Sequence, residues 1–351
     1  MRFSTLSVTL FAVLATACLI PALFPPAVKE NLPVSGRAPG AQEVAIFAVI
    51  ASGYATVNGG ADRIRAVSKP AREWVANGLL AKIYPALTRI PVIGNTVVPD
   101  PEEVLRLSPD AVFVYARDAD VLRKTGSARL IEILVDPKHP IESREKVWRE
   151  MGKVAGKSAR VAALLNRWAT KRAALKTTLP QDAARQVRVM WVHTYMGKWS
   201  TTNSEGHIAH KLELAGGQNV TRDFKFTGWG DVEQLLLADP GIILFGFYPD
   251  DHTTMRQITD RPEFRPLRAV REGRIYRLPA DTFMNEPVED PLLLMWMAEV
   301  FYPDIMPRRL REEYKETYRE VYHYAISDDE IDKAIYLEEN RLSAGYDRFA
   351  R

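Results

Sequence analysis

The sequence predicts an α/β fold of two similar lobes, each a mainly parallel sheet flanked by helices. Three observations lead there. Short apolar runs alternate with helical stretches across residues 44–278, with short connections between them, as in layered α/β proteins whose strands run parallel. A helix–proline–strand joint occurs twice. Glu102–Val114 reads Glu-Glu-Val-Leu-Arg-Leu-Ser-Pro-Asp-Ala-Val-Phe-Val, and Glu233–Phe245 reads Glu-Gln-Leu-Leu-Leu-Ala-Asp-Pro-Gly-Ile-Ile-Leu-Phe. The match in register favours a duplicated unit over two unrelated joints that happen to agree. Between the copies lies a helical run from about Ile141 to Leu179.

That run organises the chain. Gly156 reads as the stop of one helix, Ser158 as the N-cap of the next and Pro180 as its end. Val161, Leu164, Leu165, Trp168, Leu175 and Leu179 fall on one stripe, with Arg160, Arg167, Lys171 and Arg172 largely off it. At ~1.5 Å per residue the helix spans roughly 28 Å, the width of a small domain. Periodicity alone leaves two readings open, a strut between lobes or a core helix of one large domain. The strut divides the chain into an N-terminal lobe (43–157), a connecting helix (158–180) and a C-terminal lobe with a helical tail (181–351).

In chain order, Val44–Ile50 is a candidate buried strand, followed by a turn at Ser52-Gly53-Tyr54, a helical piece through Val57 and a Gly59-Gly60 break. Ile64–Val67 reads as a strand, Pro70–Leu80 as a helix opened by proline and Pro91–Gly94 as a strand. Asp100 to Glu103 begin a helix with acids in its first turn, where the helix dipole favours them. Ala111–Tyr115 and Leu130–Val135 are strands, with a short helix near Val121. The pattern restarts with strand Val187–Val192, helix Glu205–Leu214 stopped at Gly216-Gly217, helix Asp231–Leu237 and strands Ile242–Phe247 and Arg274–Leu278. Helices then run over Pro291–Phe301, Arg308–His323 and Asp328 to about Glu339.

Composition narrows the function. The 351 residues suffice for two cores, and a net charge of +3 with no dense basic run argues against a nucleic-acid partner. The single cysteine, Cys18, leaves no disulfide or thiolate metal site for the folded body. Arg2 precedes an apolar stretch, Leu6–Ile20, that is short and proline-flanked, and Ala15-Thr16-Ala17 fits a cleavage site. Residues 1–17 therefore read as an export signal and 18–42 as a linker. Lipidation at Cys18 and an uncleaved anchor are the alternatives.

Catalytic signatures are lacking: there is no phosphate-cradling Gly-rich loop and no Gly-x-Ser-x-Gly elbow. Gly228-Trp229-Gly230 lacks the third glycine of a dinucleotide fingerprint, and Ser200 to Ser204 form a polar loop that binds a ligand or caps a helix. His207 and His210 share a helix face and could reach a metal, although packing or solvation explains them as well. A direct divalent-metal reading would add His193 and a carboxylate such as Asp281 or Glu286. Aromatics are more telling by position. Tyr54, Tyr115, Tyr195, Trp199, Trp229, Tyr248 and Phe283 fall just past predicted strands, as the lining of a pocket for a large, partly apolar ligand would, with Arg117, Lys198 and His193 adding charge. Core cover is the alternative for some of them.

The order of features resembles the periplasmic substrate-binding proteins of ABC importers for iron–siderophore complexes, haem and cobalamin. The stretches that carry it are Gly59–Ile64, Asp100–Val114, Leu214–Val220, Trp229–Ile243, Gly273–Tyr276 and Pro291–Pro303. The resemblance implies two α/β lobes joined by one long backbone helix that hinges little, no catalysis, no intrinsic cofactor, and a monomer that carries a metal chelate to an inner-membrane permease. It also implies that Glu102 and Glu233, one at a helix start on each lobe, dock on permease arginines; ordinary helix-start acids are the plain alternative. Ligand identity does not follow from it.

Overall fold

The computed structural model describes residues 42–351 except 77, 125, 127, 135, 181–184, 196–197, 203–206, 225–231, 248–254, 263 and 280–287. The expected export signal and nearly all of the linker lie outside the described residues. Among those described, no helix is long and apolar enough to cross a membrane.

The N-terminal lobe contains β1 (Val44–Ile46), α1 (Ala51–Asn58), β2 (Ile64–Val67), α2 (Lys69–Ala76), α3 (Leu79–Ile83), α4 (Pro101–Leu107), β3 (Ala111–Tyr115), α5 (Asp120–Arg123), β4 (Arg129–Ile133) and α6 (Pro140–Val154). α7 (Ser158–Thr178) leads out of it. The C-terminal lobe follows with β5 (Val187–Tyr195), β6 (Lys198–Ser200), α8 (His207–Leu214), β7 (Gly217–Asn219), α9 (Val232–Ala238), β8 (Ile242–Phe247), α10 (Met255–Thr259), α11 (Arg268–Arg271) and β9 (Ile275–Arg277). α12 (Asp290–Phe301), α13 (Leu310–Tyr322) and α14 (Asp328–Ala334) complete it.

Both lobes repeat one topology. The first sheet runs β2-β1-β3-β4, all parallel. The parallel part of the second runs β7-β5-β8-β9, and β6 folds back antiparallel on the end of β5. The duplicated joint is therefore real in three dimensions: α4 feeds β3 and α9 feeds β8, each an inner strand. Even the backbone device recurs. Ser108 (φ 47°) and Asp239 (φ 34°) are left-handed at the helix exit, each directly before a proline, which forbids the helix to continue.

α7 is the strut. Its stripe Val161, Leu164, Leu165, Trp168 and Leu175 is buried. One apolar cluster runs from β1 of the first lobe through Trp148 and Trp168 to Trp296 and Tyr318 of the second. Gly156 (φ +65°) makes the break between α6 and α7. Gly152 allows the close return, since a Cβ there would lie 2.8 Å from Val161 Cγ2. Ser158 is the first helical residue rather than the cap; Lys157 holds that position without a side-chain hydrogen bond.

Several expectations change. Ser52-Gly53-Tyr54 is helical, not a turn, because seven successive residues of α1 pack into the core. Pro70–Leu80 divides into α2 and α3, and Pro91–Gly94 contributes only an isolated bridge, Val67 to Val92. The last helix stops at Ala334 rather than near Glu339. β6 and β7, each of three residues, have no counterpart in the sequence reading.

The tail is structural. Tyr318 and Tyr322 hydroxyls donate to buried Glu289 at 3.1 and 2.8 Å. Arg160 of α7 donates to the Thr56 carbonyl of α1 and to the Val321 carbonyl of α13. Tyr84 meets Tyr322 edge-on at 6.3 Å, and Lys82 pairs with Glu330. The tail thus fastens the second lobe to the back of the first.

Candidate functional site

Helices of both lobes meet at the middle of the strut. α6 comes after β4, α8 after the β5–β6 hairpin and α12 after β9. Pro140, Ile141 and Arg144 of α6, Trp168 of α7, His210, Lys211 and Leu214 of α8, and Asp290 of α12 surround a cavity of about 20 Å³, room for one water. Trp168 Nε1 donates to Asp290 Oδ2 at 2.9 Å, and Lys211 Nζ stands 2.9 Å from Asp290 Oδ1. The Arg172 guanidinium lies 3.9 Å over the Trp168 ring, and burial lowers its pKa against the pull of Asp290, Glu145 and Glu142. Buried His210 Nε2 has no hydrogen-bond partner among the described residues. Crevices beside strand carboxyl ends are where open α/β sheets bind ligands; this polar knot instead joins helices of both lobes around the strut.

The expected site residues divide into three groups. Tyr115 ends β3, with the exposed Arg117 guanidinium 5.0 Å over its ring and 3.4 Å from Asp118. His193 lies near the end of β5, its ring stacked on Trp191 at 5.4 Å. Those side chains stand at strand ends, as expected. Tyr54 does not. It is 0% exposed on α1, edge-on to Phe113 at 5.6 Å, and burial pushes its phenol up to about 12. Its place is the N-terminal core, because α1 begins where a loop was expected.

Tyr195, Lys198 and Trp199 have described backbone in the β5–β6 hairpin, with Tyr195 opposite Lys198 and Thr194 opposite Trp199. Their side chains lie outside the described set, as do residues Trp229, Tyr248 and Phe283 entirely, and Asp281 and Glu286 of the metal reading. Among the described residues no group of three metal-ligating side chains occurs.

Sequence reasoning missed Trp191. A Cβ at Gly246, which lies opposite His193 on β8, would come within 2.8 Å of the Trp191 indole nitrogen. The glycine thus makes room for an aromatic shelf under His193. The signal was the alternation Trp191, His193, Tyr195 along one strand face.

Glu102 is exposed in the first turn of α4, where the Asp100 carboxylate accepts its N–H at 2.9 Å. Glu233 is exposed at the matching place on α9. Each helix reverses into the strand it feeds, so its acidic first turn lies on the side where the strands end.

A second cavity, about 380 Å³, lies at the opposite end of the C-terminal lobe, beside Arg274, Tyr276, Glu299, Tyr302, Tyr346 and Arg348. Burial raises the Glu299 carboxyl, against the N–H groups of Arg309 and Leu310 and the Arg348 guanidinium 3.3 Å away. Its role is to hold the start of α13.

The fold is shared with solved binding proteins. A periplasmic solute-binding protein from Veillonella parvula superposes with a TM-score of 0.74 at 21% identity, over 86% of this chain and 93% of that one. The molybdate-bound MolA of Haemophilus influenzae gives 0.69 at 18%, over 82% and 95%. The periplasmic haem-binding HutB of Vibrio cholerae gives 0.61 at 12%, over 75% and 100%. The family model described as periplasmic binding protein matches residues 52–282. With that match spanning most of both lobes, the chain belongs to the periplasmic binding protein family.

Proposed function

We propose that this protein is the solute-binding component of an ABC importer that captures a metal chelate between its lobes and delivers it to the permease. A ferric siderophore is the first candidate, with haem or a corrinoid next. The supporting observation is the meeting of helices from both lobes at the Trp168–Asp290 knot, with aromatic and basic groups at a strand end of each lobe. Tyr115 with Arg117 stands at the end of β3, and His193 near the end of β5, stacked on Trp191. Aromatic faces and guanidinium groups suit a bulky anionic complex. Tyr195, Lys198, Trp199, Trp229, Tyr248 and Phe283 complete the proposed lining, while Tyr54 supports it from the core. The protein acts by binding rather than turnover, as a monomer, and reaches the periplasm through the signal at 1–17, with Cys18 the alternative lipid anchor.

Tryptophan quenching tests the ligand class. Saturable quenching by a ferric siderophore, haemin or cobalamin is expected, and Arg117→Ala with His193→Ala should weaken it about tenfold or more. A response to zinc or manganese chloride alone would instead favour the bare-metal reading through His193, His207, His210 and Asp281 or Glu286. Mass spectrometry of material co-purified from the native host identifies the chelate. Docking has its own test: Glu102→Ala with Glu233→Ala should abolish delivery and leave chelate affinity unchanged.

A further inference from the structure

We infer that Leu105 and Leu236, with Leu237 beside the latter, form the apolar centre of the face that docks on the permease. The inference rests on the docking reading above and adds residues to it. The duplicated joints bury most of their apolar side chains, including Val104, Leu107 and Ala238, yet Leu105 is 44%, Leu236 39% and Leu237 84% exposed. A single exposed leucine needs no explanation. Here the exposure is itself duplicated. Leu105 and Leu236 hold the same position in the repeat, each three residues beyond Glu102 or Glu233, and residues three apart share a helix face. Among the described residues, exposed Leu134, Ile305 and Leu342 have no such exposed counterpart.

A twin patch of acid plus leucine fits a partner that offers two like surfaces, each with a basic group beside an apolar hollow. The carboxylates steer and orient, whereas a desolvated apolar centre supplies most of the affinity at a typical interface. One difference gives the face a direction. The position after the leucine is exposed Arg106 on the N-terminal lobe and exposed Leu237 on the C-terminal lobe. A receptor with two unlike halves would distinguish the lobes there.

The test uses the full chain and native-host membrane vesicles with the periplasmic face outward, the permease subunits being identified by cross-linking and mass spectrometry. The variant Leu105→Gln/Leu236→Gln/Leu237→Gln changes only exposed positions, so its melting temperature and chelate affinity should match the parent. Its binding to the vesicles should fall about 100-fold, as expected when hot-spot side chains are truncated. A photo-cross-linker at 105 or 236 should form an adduct with a permease subunit. Parental vesicle binding by the leucine variant, alongside loss of binding by Glu102→Ala/Glu233→Ala, overturns this inference and leaves the docking reading intact. Parental binding by both variants overturns the two together. If the leucine variant only converts a dimer of this chain into a monomer, the patch belongs to a second copy and the inference fails.

Discussion

The two sheets end on equivalent outer strands, β4 and β9, and protect them in opposite ways. An outer strand presents unpaired backbone groups and invites association. On β4 the guard is charge: Arg129 pairs with Glu150 at 2.8 Å and Glu132 with Arg123 at 2.6 Å. On β9 the guard is cover. The Asn340 side chain accepts from the Arg277 N–H at 2.6 Å and donates to the Arg277 carbonyl at 3.0 Å, as a further strand would. Ser343 donates to the Ile275 carbonyl, and the Ala344 N–H to the Gly273 carbonyl at 2.8 Å. Identical topology therefore does not dictate how a sheet is finished. The helices just before the segment that finishes the second sheet, α13 and α14, clamp the first lobe.

The comparison breaks most sharply at Asn340. Asn340→Ala strips partners from buried polar groups and should cost about 3 kcal/mol, read as a lower urea midpoint at unchanged slope. Faster hydrogen exchange at Arg277 would place the damage at the strand edge, and unchanged exchange there would refute the covering role.

A smaller effect is expected where the tail meets the first lobe. Burial raises the Glu330 carboxyl, but hydrogen bonds from Lys82, Ser327 and Tyr324 outweigh it and hold it at about 2. A depressed carboxylate stabilises fully above its ordinary pKa of about 4.5, and the contribution fades as pH falls toward 2. Glu330→Gln should therefore lower the urea midpoint at pH 7 and match the parent near pH 2. A gap that persists in acid would show that the loss is not ionic.

The smallest change in stability belongs to β4. Arg129→Ala with Glu132→Ala removes exposed pairs and should cost under about 1 kcal/mol, while light scattering at high concentration rises. No rise would mean that charge is not the guard.

Legibility followed the range of the interactions involved. α7 and α12 were read to within about two residues, since their apolar stripes are local. The twin joints were legible because proline and a buried strand recur in register. β6 and β7 were not, since three residues carry no period and exist as strands only through β5. Tyr54 looked like a rim residue because Ser52-Gly53 suggested a turn; packing made that stretch helical and drew the ring inside. Asn340 carries no sign in the sequence of its bonds to Arg277, 63 residues away. The proposed site is legible in the strand ends at Tyr115 and His193, but not in the meeting of helices at Trp168, which tertiary packing alone creates.

The clamp has a consequence for how the molecule comes into being. Asn340, Ser343 and Ala344, which cover β9, and Val321, which Arg160 ties to α1, all lie downstream of the elements they close. Contacts of such long sequence separation form late.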